Sequence, residues 1–120
     1  MKVVPIYSTD SMSEPTPEQI RATLAQLLAG ETLSKSAANR RLLTYLVDRM
    51  LSGGDGHKEV ELAIDVFGRD ASFNGAEDSV VRVAIRSLRQ KLLEHYSAAG
   101  NQDQLVFDVP KGGYRLTVSP

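Results

Sequence analysis

At 120 residues, 42% of them hydrophobic and 24% charged, the chain is long enough for one domain with a single core. It has no cysteine, which excludes disulfides and thiolate metal sites, and no apolar run near the roughly 18–20 residues that span a bilayer. A formal net charge of −1 gives no bulk attraction for an anionic partner, so any such partner must be recognised by where the cations point. Their distribution is slightly uneven. Residues 1–34 carry two Lys/Arg against four Asp/Glu, and residues 77–120 carry six against five.

In chain order, Val3, Val4, Ile6 and Tyr7 suit a short strand, and a polar loop follows. This start lacks the apolar h-region of a secretory signal, so a cytoplasmic protein is the expectation. Thr16 as N-cap, Pro17 at the first helical position and Gln19 at the capping-box position predict a helix to about Ala29, ended by Gly30. Its stripe is Ile20, Leu24, Leu27 and Leu28. Two roles are open to that stripe: folding onto its own domain, or self-association.

The spacing then predicts a helix over Ser36–Leu51, with Ala38, Leu42, Tyr45, Leu46, Arg49 and Met50 marking its repeat. Arg40–Arg41 reads as a solvated face, with phosphate contact as the alternative. The Ser52–Gly56 run is a turn. A short helix over His57–Phe67 is expected to turn Val60, Ala63, Ile64 and Phe67 inward, with Gly68 as its stop. The loop Arg69–Glu77 is longer than the three or four residues of a tight helix-turn-helix, and Phe73 is its natural anchor.

Asp78–Ala99 is the longest and most regular helical stretch. Val81, Ile85, Leu88, Leu92 and Tyr96 recur at steps of three and four and predict the core face. Ser79, Arg82, Arg86, Arg89 and Gln90 turn away from it. Asp78 is the expected N-cap and Gly100 the stop, before a turn at Asn101–Asp103. Leu105, Phe107 and Val109 then alternate with Val106 and Asp108, Pro110-Lys111-Gly112-Gly113 has turn chemistry, and Tyr114, Leu116 and Val118 alternate on the return. The class is therefore α+β: three helices and a hairpin, with one extra helix in front. A helix with an arginine face beside a ribbon with a basic turn is suited to reading DNA.

The run DVFGRDASFN…DSVVRVAIRSLRQKL…LVFDVPKGGYRL resembles the winged-helix DNA-binding domain of OmpR/PhoB-type response regulators. Val83, Ile85, Arg86, Leu88, Arg89, Lys91 and Leu92 match that family's recognition-helix pattern, and Gly113, Tyr114, Arg115 and Leu116 match its wing. The closer likeness is to a variant with an S-x-R-x-x-x-L-x-Y-L-V element, here SAANRRLLTYLV, followed by F-G-R-D and P-K-G-G-Y motifs. The match covers roughly residues 32–118. No receiver domain is expected in front of it, so aspartate phosphorylation is not implied.

The resemblance implies a three-helix core with a C-terminal wing over 32–120, preceded by a tail and helix over 1–31. It implies a transcriptional regulator that places helix 78–99 in the major groove and wing 104–118 at the adjacent minor groove. Expected base readers are Arg86 and Ser87, then Arg82 and Ser79. Arg89 and Gln90 are expected at phosphate or the groove edge, and Lys111 and Arg115 in the wing. Tyr114 is expected to anchor the wing to the helix. Expected partners are double-stranded DNA, a second copy through Ile20, Leu24, Leu27 and Leu28, and RNA polymerase. A protein-interaction module using the same surface is the alternative. No cofactor, metal or catalysis is expected: His57 and His95 lack partners at ligand spacing, and no serine sits in a G-x-S-x-G setting.

Overall fold

The computed structural model describes residues 14–53, 58–98 and 105–120. The expected strand at Val3–Tyr7, His57 at the start of the short helix, and the turn at Asn101–Asp103 lie outside them. The described residues form an α+β fold of five helices and one two-stranded antiparallel sheet. In order these are α1 (Pro17–Ala29), α2 (Glu31–Ser34), α3 (Ala37–Leu51), α4 (Glu59–Asp65), α5 (Val80–Ser97), β1 (Val106–Asp108) and β2 (Thr117–Ser119).

Helix α1 begins as its sequence requires. The Gln19 N–H donates to Thr16 Oγ1 at 3.1 Å and the Thr16 N–H donates to Gln19 Oε1 at 2.9 Å, a closed capping box behind Pro17. Its stripe, however, is spent inside the chain. Ile20, Leu24 and Leu27 are buried in the same core as α3 and α5, and Leu28 is half-buried against it. The expected self-association face is thus corrected: these side chains already have apolar partners in their own domain, through the packing of α1 on α2 and α3. The described part of the 1–31 segment shares its core with the residues that follow. Helix α2 is a single turn that buries Leu33, too short to leave a periodic signal in the sequence.

Two faces are rotated from expectation. In α3 Leu42 and Leu46 are buried and Arg49 exposed as expected, but Asn39, Leu43 and Val47 complete the buried set, while Ala38, Tyr45 and Met50 are only half-buried. In α4 Leu62 and Ala63 are buried, whereas Val60 and Ile64 are exposed at 38% and 40%. A seven-residue helix has too few turns for periodicity to fix its facing, and packing against α5 decides it. Gly68 ends the turn after α4 in the left-handed region (φ +69°), which lets the Arg69 N–H reach back to the Ala63 carbonyl at 2.9 Å.

Helix α5 has the face its spacing predicts, with Val81, Ile85, Leu88 and Leu92 at most 2% exposed. Its N-cap is Ser79, one residue after the expected Asp78, and it makes no side-chain cap bond; Asp78 instead accepts from the Val80 N–H at 3.1 Å. Beyond α5, Phe107 pairs with Val118 in the sheet, and Leu105, Phe107, Val109 and Leu116 close the core. The regular pairing is shorter than the sequence alternation suggests. The connection between the strands spans residues 109–116, not only the four turn residues. Tyr96 ties helix to sheet: its hydroxyl accepts from the Phe107 N–H at 3.1 Å.

Candidate nucleic-acid interface

The outward side of α5 and the loop between the strands form one surface. Arg82, Arg86 and Arg89 project from successive turns of α5, with a rise of about 5.4 Å per turn. Arg82, Ile85, Arg86, Arg89, Gly112, Gly113 and Tyr114 line a cleft of about 340 Å³ between helix and loop. Beside it, Arg86, Arg89, Gln90, Leu93 and Lys111 line a second cleft of about 590 Å³. Among the described residues, no acidic side chain lines either cleft. A chain of net charge −1 has thus concentrated cations on one side of one helix.

The three arginines are in different situations. Arg86 is exposed and makes no hydrogen bond or ion pair among the described residues. Arg82 is held by Glu59 of α4, Nη1 to Oε2 at 2.7 Å. Arg89 is turned into the loop. Its Nε donates to the Val109 carbonyl at 2.5 Å, and its Nη2 donates to the carbonyls of Pro110 and Gly113 at 3.1 and 3.3 Å. Arg89 thus has a structural role beside the phosphate or groove-edge contact expected of it: its guanidinium fastens the loop to the helix with three of its five N–H donors, and the two on Nη1 make no hydrogen bond among the described residues.

The other expected contacts divide similarly. Ser79 is exposed at the start of α5. Ser87 is half-buried and accepts from Asn39 Nδ2 of α3 at 3.1 Å, so it also joins two helices. Gln90 is exposed, with its amide donating to Glu94 at 3.2 Å. Lys111 and Arg115 are exposed on the loop and the return segment. Tyr114 is half-buried against the core, as an anchor for this loop should be, and Gly112 beside it adopts φ +98°, the left-handed turn that favours glycine.

Behind the surface, the loop before α5 is held by short-range bonds. Asp70 and Asn74 each accept from a backbone N–H two residues on, Ser72 and Ala76, and Phe73 packs on the core. The Asp78 carboxyl is held below the usual carboxylate range, first by the hydrogen bond from Arg69 at 2.8 Å and then by the Val80 N–H. The Ser72 hydroxyl and N–H hold Asp70 low in the same way. On the far side of α3, burial pushes the Tyr45 hydroxyl up to about 12, helped by its hydrogen bond to Asp65 at 2.7 Å.

Spacing alone does not reveal the Asn39–Ser87, Glu59–Arg82 and Arg89–loop contacts. One signal is present for the first. Asn39 occupies a core-facing step of the 39, 42, 43, 46 series, and a polar side chain there requires a buried partner. Among the described residues no group of His, Cys, Asp and Glu is placed to hold a metal ion, and no helix is long and apolar enough to cross a membrane. No family model matches the chain, and neither a curated protein nor a solved structure matches it with significance.

Proposed function

We propose that the chain is a sequence-specific double-stranded DNA-binding regulator of winged-helix form. The carrying observation is the acid-free pair of clefts between α5 and the loop 109–116, centred on Arg86, which is unpaired among the described residues. Helix α5 has 18 residues, about 27 Å, and a helix with side chains is about 10–12 Å across, a fit to a major groove about 12 Å wide. Arg86 then faces base edges, where guanine O6 and N7 accept a two-pronged guanidinium. Lys111 and Arg115 lie alongside, at phosphate and the neighbouring minor groove, where an arginine reads groove width. The order of helices and hairpin and the motif resemblance support the same reading.

Selection of bound duplexes from a random library, followed by anisotropy titration of the best site, tests it. Arg86→Ala should weaken that site by about 1–3 kcal/mol and relax its sequence preference. With three or four cations at phosphates, log K should fall with log salt at a slope of about −3. A slope near zero, or wild-type binding by Arg86→Ala, refutes the assignment. One observation favours a protein partner instead: Leu93, 61% exposed, stands in the cationic cleft. Apolar docking there would survive added salt, so the same titration separates the two readings.

A further inference from the structure

Of the three arginines on α5, one has no partner among the described residues, one is built into the loop, and one is held by a carboxylate. Arg82 belongs to the cleft-lining set yet is paired with Glu59 at 2.7 Å. The Glu59 side chain is the more enclosed member of the pair, 23% exposed against 45% for Arg82. The loop before α5 closes tightly over it: a Cβ placed on Gly75 would lie 2.5 Å from Glu59 Oε1, so a side chain there would make the carboxylate shift. Asp78, the other carboxylate whose charge environment includes Arg82, is engaged by Arg69 at 2.8 Å.

We infer that Glu59 is an affinity-setting residue, an electrostatic brake that holds Arg82 in the free protein and must yield it to a DNA phosphate. A carboxylate near an incoming phosphate is repelled by it, and the same phosphate competes for the guanidinium. The exchange replaces an intramolecular pair with an intermolecular one, so DNA gains less from Arg82 than from an unpaired arginine. The brake acts equally on every sequence, because phosphate contact carries no base information. It lowers background binding and leaves discrimination to Arg86. Glu59 thus acts through Arg82 as a positioning residue and has no DNA contact of its own.

This inference rests on the DNA reading, and one titration separates the two. A random-sequence duplex of about 20 base pairs serves as probe, with the full chain, from about 50 to 200 mM salt. Glu59→Gln preserves the shape that packs at Gly75 and removes the charge. It should bind about two- to fivefold tighter, the range of an exposed ion pair's strength. Arg82→Ala should cost more in the Glu59→Gln background than in wild type. Gly75→Ala, which displaces the carboxylate while keeping its charge, should also tighten binding and covers the case in which Glu59→Gln folds poorly. A wild-type chain that binds no duplex at any salt overturns both readings. Normal wild-type binding with unchanged or weaker binding by Glu59→Gln overturns the brake alone, and weaker binding would make Glu59 a buttress for Arg82.

Discussion

Replacing Arg89 tests whether that side chain holds the loop or touches DNA. In the structure its guanidinium donates to three backbone carbonyls, those of Val109 at 2.5 Å, Pro110 at 3.1 Å and Gly113 at 3.3 Å. A hydrogen bond from a charged donor contributes about 1.5–3 kcal/mol net, and the longest of these is the weakest. Val109 is fully buried, so its carbonyl would lose its partner where water does not readily replace it, at about 1–3 kcal/mol. The two figures overlap because they describe one bond from its two ends. Arg89→Ala should therefore destabilise the fold by about 2–4 kcal/mol, on the order of 10 °C in Tm. Arg89→Lys keeps the charge but not the fork and should fall between. Arg86→Ala, at an exposed side chain with no described partner, should stay within about 0.5 kcal/mol of wild type. Urea denaturation of the three variants measures this ordering. Arg89→Ala with wild-type stability and weakened DNA binding would refute the clamp and leave Arg89 as a direct contact.

Other outcomes follow from the same geometry. Leu27→Ala removes a side chain 1% exposed in the core and should cost about 2–5 kcal/mol by denaturation with no change in sedimentation; a changed oligomeric state at unchanged monomer stability would return the α1 stripe to self-association. The Asp78 carboxyl is held low in the folded chain, so the stability it contributes is present above its ordinary value of 3.8 and is lost as pH falls through the depressed folded value. Acid titration of wild type and Asp78→Asn, followed by Tm, should show the two curves converging at the acid end; parallel curves would deny the carboxylate that role.

Long periodic stretches make parts of this fold legible in the amino-acid order. In α5, an 18-residue helix, four core residues repeat over several turns, enough to fix the buried face from spacing alone. The Thr16–Gln19 capping box and the alternation through Leu105, Phe107 and Val109 are equally local, since each depends on residues a few positions apart. Facing is lost where elements are short or polar positions intrude. Val60, Ala63 and Ile64 share one stripe in α4, yet packing on α5 buries Leu62 with Ala63 and leaves Val60 and Ile64 exposed.

Sequence by itself determined the α+β class, the order of the four longer helices and the hairpin, the absence of thiol chemistry and the location of a cationic helix face. It placed Arg82, Arg86 and Arg89 together because helical repeat is a local property. Only the tertiary structure separated them. Glu59 is 23 residues from Arg82, and the Val109–Gly113 carbonyls are 20 to 24 residues from Arg89. Which long side chain meets which distant acceptor depends on how α4, α5 and the loop pack, and that is a property of the assembled core and not of any one element's period. The helix sets where the guanidinium groups start; the fold decides that one clamps, one is restrained, and Arg86 has no partner among the described residues.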